Sequence, residues 1–144
     1  MPDVDARTDF LARVPLFHGL KHRQIESLAG SMVPRHYAAG ETIVTQGKDG
    51  IGLFVLVSGK AEVVRTGADG SSAVLNVFGP TDFFGELALL DGGPHTASVI
   101  AAQDTECLVL AHWEFVGKLK LDSEMVTVIM QEVVRRFYRA LQAV

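Results

Sequence analysis

The sequence predicts a mainly β domain, an antiparallel sandwich or barrel flanked by helices, and three observations carry that prediction. Between residues 33 and 110 short β-prone runs recur, separated by Gly- and Asp-rich turns at roughly eight- to twelve-residue intervals. Before and after that region the apolar spacing changes to a helical one. The chain is 144 residues long, with 48% hydrophobic and 21% charged residues, which fits one domain with a core of ordinary size.

The opening stretch, up to about Arg35, reads as helical. Leu16, Leu20, Ile25 and Leu28 fall on spacings of three to five, punctuated by Gly19 and Gly30. Strands are expected at residues 42–45, 53–57, 61–64, 73–78, 98–101 and 107–110. The turn signals between them are Gly47-Lys48-Asp49-Gly50, Ser58-Gly59, Gly67-Ala68-Asp69-Gly70 and Asp91-Gly92-Gly93-Pro94. After a short helix over His112–Leu119, Asp122 or Ser123 is placed to cap a longer one. That helix carries Val126, Ile129, Met130, Val133, Val134, Phe137 and Leu141 on one broad stripe. The stripe can pack on the domain's own sheet or serve self-association, and it is wide enough for both. Trp113 and Phe115 are expected to pack at the hinge before the last helix, and Cys107 to be buried in a strand.

Charge and composition exclude several functions. Thirteen Lys and Arg against seventeen Asp and Glu give a net −4, which argues against a dominant nucleic-acid surface. A single cysteine excludes an intramolecular disulfide and cannot make a zinc site alone. No run reaches the roughly 18 apolar residues of a membrane span, and the acidic N-terminus lacks the basic start of a secretory signal. A soluble cytoplasmic domain is expected. None of the histidines His18, His22, His36, His95 and His112 forms a His-x-His pair, so no metal or cofactor site is read. Glu86 and His95 lack an accompanying nucleophile, so no enzyme is read either.

One segment breaks the rhythm of strands. Glu86 to Leu90 is a run of strong helix formers inside the β region, ended by Asp91-Gly92-Gly93-Pro94. A short helix there exposes unpaired N–H groups and the positive end of its dipole, which favours an anion. Gly85 ahead of it removes a Cβ and allows close approach of a ligand. The Glu86 carboxylate repels a bare phosphate but accepts a hydrogen bond from a hydroxyl. The implied ligand therefore carries an anion and a neighbouring hydroxyl.

Phe84-Gly85-Glu86-Leu87-Ala88-Leu89 followed by Gly93-Pro94-His95-Thr96-Ala97-Ser98-Val99 resembles the phosphate-binding cassette of the cyclic-nucleotide-binding domain family, to which catabolite activator protein and protein kinase A regulatory subunits belong. Pro15-Leu16-Phe17, Ala39-Gly40-Glu41-Thr42-Ile43, Gln46-Gly47 and Leu56-Val57-Ser58-Gly59-Lys60-Ala61 resemble the family's opening helix, first turns and third and fourth strands. The resemblance implies an antiparallel β-roll, a double-stranded, jelly-roll-like β-helix. N-terminal helices would occupy residues 1–32, the roll 33–111 with its cassette at 84–99, and C-terminal helices 112–144. It also implies a non-catalytic sensor of cyclic AMP or cyclic GMP. Glu86 would bind the ribose 2′-hydroxyl, and the N–H groups around Gly85, Leu87 and Ala88 would hold the cyclic phosphate. His95, Thr96 and Ala97 would complete the pocket, and Tyr138, Arg139 and Leu141 are candidates to cover the base. The expected partners are the nucleotide and either a second copy through the 122–142 helix or an effector domain, with no nucleic acid bound by this chain alone.

Two positions depart from the pattern. Family members that bind tightly usually carry Arg where this chain has His95. Imidazole offers one donor on a shorter stem and is only partly charged at neutral pH, whereas guanidinium takes two phosphate oxygens at once. The replacement leaves two readings, weakened nucleotide binding or a ligand-free interaction domain in which His95 is a solvated loop residue. The second departure is Thr81 in Gly79-Pro80-Thr81-Asp82, where the family commonly has Gly before the Asp.

Overall fold

The computed structural model describes residues 4–85 and 94–142 and divides into two compact units. The first comprises Met1–Ser31 with Trp113–Val144, and the second Met32–His112.

The second unit is the antiparallel β-roll. Its strands are β1 (Val33–Tyr37), β2 (Thr42–Val44), β3 (Gly52–Ser58), β4 (Ala61–Thr66), β5 (Ser72–Phe78), β6 (Phe83–Phe84), β7 (Ser98–Ala101) and β8 (Thr105–Ala111). They form two four-stranded sheets, ordered β1-β8-β3-β6 and β2-β7-β4-β5. Val44, Phe54, Leu56, Ala61, Phe84, Val99, Cys107 and Val109 make one buried apolar cluster, with Tyr37, Ile43, Val63 and Phe78 packed against it. Leu53, Val55, Leu108 and Leu110 on the alternate positions of β3 and β8 are buried as well. That is why those two strands read as continuous apolar runs rather than as alternating ones.

Two strands were not legible in the sequence. The helical reading to Arg35 is wrong at its end: the helix stops at Ser31, and Val33-Pro34-Arg35-His36-Tyr37 is β1. Pro34 is tolerated because β1 lies at the edge of its sheet. β6 is two residues long and is held by pairing Phe84 with Phe54 and Phe83 with Val55, a local pattern too short to announce itself.

The turn before β6 confirms the unusual backbone at Thr81, whose φ is +73°. A β-branched residue is strained in that region. The turn is nevertheless tied down: Thr81 N–H donates to Leu56 O at 3.0 Å, Leu56 N–H to Asp82 O at 2.9 Å, and Gly79 N–H to Asp82 Oδ2 at 2.8 Å. Thr81→Gly keeps all three bonds and relieves the strain, offset in part by greater freedom of the unfolded chain. It is expected to stabilise the domain by about 0.5–1 kcal/mol and raise Tm by about 2–3 °C. A melting curve that does not shift upward would show that the turn is unstrained.

The helical unit contains α1 (Val4–Leu11), a 3-10 turn at Pro15–Phe17, α2 (His22–Ser31), α3 (His112–Leu121, whose first residue falls in the β unit) and α4 (Ser123–Gln142). Asp122 caps α4 as expected, its Oδ1 accepting from Met125 N–H at 3.2 Å. Its Oδ2 accepts from the Gln24 side-chain amide at 3.0 Å, which joins α2 to the start of α4. These bonds, the Gln24 one foremost, hold the Asp122 carboxyl below its ordinary pKa. Gly19 leaves room for α4, since a Cβ there would lie 2.7 Å from Val128 Cγ1. Phe115 is fully buried, but Trp113 is 72% exposed and so does not pack as expected.

The long stripe divides. Of its residues Ile129 is buried and Val126 and Val133 are half-buried, while Met130, Val134, Phe137 and Leu141 stay exposed. Their spacing of 4, 3 and 4 is that of a coiled-coil seam, narrower than the sequence stripe because the remainder is used within the unit.

Candidate ligand site

The site lies where β6 ends. Phe84 stacks on Phe54, with ring centroids 5.0 Å apart and planes 4° from parallel, and Phe78 stacks on Phe84 at 5.8 Å and 13°. Three aromatic rings from β3, β5 and β6 thus fix the residue that precedes Gly85. Gly85 itself has φ +86°. A Cβ there would collide with the main-chain oxygen of Gly52. The sequence reading gave this glycine to ligand approach. The structure shows that the chain's own backbone already requires it, through both dihedral angle and space.

Across from Gly85 stands His95. Its Cε1 is 3.8 Å from the position a Gly85 Cβ would take, so the two ends of the cassette, ten residues apart in sequence, meet. The main chain of His95 is held by the β2–β3 connection: its N–H donates to Lys48 O at 2.9 Å, and its carbonyl accepts from Gly47 N–H at 2.9 Å. An antiparallel bridge pairs Asp49 with Pro94 next to it. Ser98 adds a further tie, its Oγ accepting from Gln46 N–H at 2.9 Å. The His95 imidazole is half-buried, and burial lowers its pKa from the ordinary value. At neutral pH it is therefore an uncharged hydrogen-bonding group.

Thr96 follows as an exposed residue and Ala97 is half-buried. Glu86, Leu87 and Ala88, and the short helix expected over Glu86–Leu90, lie outside the described residues. Tyr138, Arg139 and Leu141 lie on α4 in the helical unit and are exposed. Arg139 approaches the Glu132 carboxylate at 4.0 Å.

Gly52 and Lys48 were missed in the sequence reading, because their relevance lies in main-chain contacts with residues more than thirty positions away. The Gly47-Lys48-Asp49-Gly50 turn signal located the loop without revealing what it touches.

Other chemistries find little support among the described residues. No group of three His, Cys, Asp or Glu side chains could hold a metal ion. The Cys107 thiol is buried, and burial together with Glu106 pushes its pKa up to about 12, which removes the thiolate a nucleophile requires. No described helix is long and apolar enough to cross a membrane.

The profile of the family described as "Cyclic nucleotide-binding domain" matches residues 34–121. The chain is 36% identical over 106 residues to the cyclic AMP receptor protein of Thermus thermophilus, covering 74% of this chain and 49% of that one. It is 39% identical over 97 residues to the cAMP-dependent protein kinase regulatory subunit of Mycosarcoma maydis, covering 67% of this chain and 18% of that protein. The chain thus spans half or less of the length of these curated relatives. Among solved structures, the N-terminal domain of a transcriptional regulator from Streptomyces coelicolor superposes with a TM-score of 0.82 at 36% identity, covering 94% of this chain and 96% of that one.

Proposed function

The chain belongs to the cyclic nucleotide-binding domain family, and from that premise we propose that it is a non-catalytic sensor whose cassette binds cyclic AMP or cyclic GMP more weakly than an arginine-bearing cassette would. The observation that supports this most is the meeting of Gly85 with His95 over a main-chain frame set by Gly52, Gly47 and Lys48. An intact frame around a changed anion-binding side chain fits altered affinity better than a lost site. In this reading Glu86 accepts the ribose 2′-hydroxyl. The N–H groups around Gly85, Leu87 and Ala88 hold the cyclic phosphate, and His95, Thr96 and Ala97 line its far side. Tyr138, Arg139 and Leu141 are the candidates for contact with the base. Names of the curated relatives favour cyclic AMP; the Thr96 hydroxyl makes cyclic GMP worth the same titration.

Calorimetric titration of the chain with both nucleotides, beside His95→Arg, tests the proposal. Weak binding by the natural chain and tight binding by the variant are expected. If neither binds, the reading fails in favour of a ligand-free interaction domain.

The sensor is further proposed to act as a homodimer through the 122–142 helix. The exposed Met130-Val134-Phe137-Leu141 seam supports this, because two copies of an uninterrupted apolar seam can bury each other. Analytical ultracentrifugation is expected to find a dimer, and Phe137→Glu, which places a carboxylate in the middle of that seam, is expected to give a monomer with unchanged secondary structure. A monomeric natural chain would end the dimer proposal and leave the seam to an effector.

A further inference from the structure

The proposed ligand is an anion, yet from Thr66 to Gly117 the chain contains no lysine or arginine. The whole stretch Met32–His112 holds four, Arg35, Lys48, Lys60 and Arg65, against nine Asp and Glu. A phosphate entering this unit meets a background of negative charge, so the placement of each of these four cations matters.

Three of them are placed by other main-chain pairings. Arg35 stands opposite Cys107 on β1 and donates to Pro34 O at 3.3 Å. Lys60 lies at the turn between β3 and β4, its carbonyl accepting from Ala102 N–H at 2.8 Å. Arg65 pairs with Ala73 in the β4–β5 hairpin, one residue beyond Val64, which pairs with Ser98 at the end of the cassette. Of the four, Lys48 is the one whose main chain is bonded to His95. Its carbonyl accepts from His95 N–H, and the adjoining Asp49–Pro94 bridge sets the two segments at antiparallel strand spacing, with Cα atoms about 4.5–5.5 Å apart. The Lys48 side chain is exposed and forms no ion pair with another described residue. An ammonium on a flexible four-carbon stem, rooted beside His95, can therefore swing to whatever the imidazole faces.

We propose that Lys48 supplies the positive charge opposite the ligand's phosphate, with His95 beside it as the directional hydrogen-bonding group. The work of one arginine is divided between two residues from opposite sides of the Asp49–Pro94 bridge. The proposal rests on the reading of the cassette as a cyclic-nucleotide site and adds to it the residue that neutralises the anion. Because the tie between Lys48 and His95 runs through the main chain, replacing the lysine side chain leaves that tie in place.

The test measures the affinity of the natural chain, Lys48→Gln and Lys48→Arg for cyclic AMP, cyclic GMP and the uncharged nucleosides adenosine and guanosine. Lys48→Gln is expected to weaken the cyclic nucleotides about tenfold, as loss of one charge-assisted contact does. It should move the nucleosides by no more than about twofold and flatten the decline of cyclic-nucleotide affinity with rising salt. Lys48→Arg is expected to stay within about threefold of the natural chain. Unchanged cyclic-nucleotide affinity in Lys48→Gln overturns the role of Lys48 while leaving the cassette reading intact. An equal loss for nucleosides and nucleotides overturns it too, since the side chain would then be structural. If neither the natural chain nor His95→Arg binds a cyclic nucleotide, both readings fall together.

Discussion

His95→Arg is expected to raise cyclic-nucleotide affinity by about one to two decades. The gain follows from replacing one neutral donor with a charged fork that takes two phosphate oxygens, a difference of roughly 1.5–3 kcal/mol. The main chain is already suited to the longer residue, because Lys48 O and Gly47 N–H hold residue 95 by its backbone. The same substitution should abolish a pH dependence. In the free protein, burial lowers the His95 pKa, so the imidazole is neutral at pH 7. A bound phosphate favours the imidazolium, so binding takes up a proton, and affinity of the natural chain should rise as pH falls from about 8 to about 6. The titratable residues on the facing segment are Lys48 and Asp49. Folding stability runs the other way: with a folded pKa below the unfolded one, the His95 contribution is intact above the unfolded pKa and is lost as pH falls through the folded value. Calorimetry of both chains in buffers of different ionisation enthalpy reads the proton directly. Equal proton uptake in the arginine variant would show that His95 does not face the phosphate.

Phe54→Ala is expected to cost about 3–5 kcal/mol of stability and about 10–20 °C in Tm. Phe54 is 1% exposed, lies in the middle of β3, and its ring is the base on which Phe84 stacks. Removing it opens a cavity that Leu56 and Val109 cannot fill without leaving their own contacts. It also frees the residue before Gly85, so any ligand affinity should fall with stability. Phe54→Leu, which keeps much of the volume without the flat face, separates the two effects. Near-natural Tm with reduced affinity would assign the stack a positioning role; loss of neither would show that β6 is held by its main-chain pairing with β3 alone.

Much of the roll was readable because its physics is local. Alternating or continuous apolar runs between Gly and Asp turns located β2, β3, β4, β5, β7 and β8 to within a residue or two at their ends. Asp122 or Ser123 was recognisable as a cap from its place ahead of a helical stripe, and the structure selects Asp122. Thr81 stood out for replacing a glycine, and its positive φ gives the physical reason. β1 was misread because Pro34 argues against a strand unless the strand is known to lie at an edge, and edge position belongs to the sheet. β6 was missed because two residues carry no period.

Composition and motif alone determined the class of fold, the glycine ahead of the cassette, the scarcity of cations around it and the loss of the arginine at position 95. Each of these is a property of residues close together or simply counted. Folding alone decided that Lys48 stands beside His95, that Gly85 yields to the Gly52 carbonyl, that three phenylalanines from separate strands stack, and which half of the α4 stripe remains uncovered. Those outcomes depend on pairings between segments tens of residues apart, where the energy resides in contacts that no local window of sequence contains.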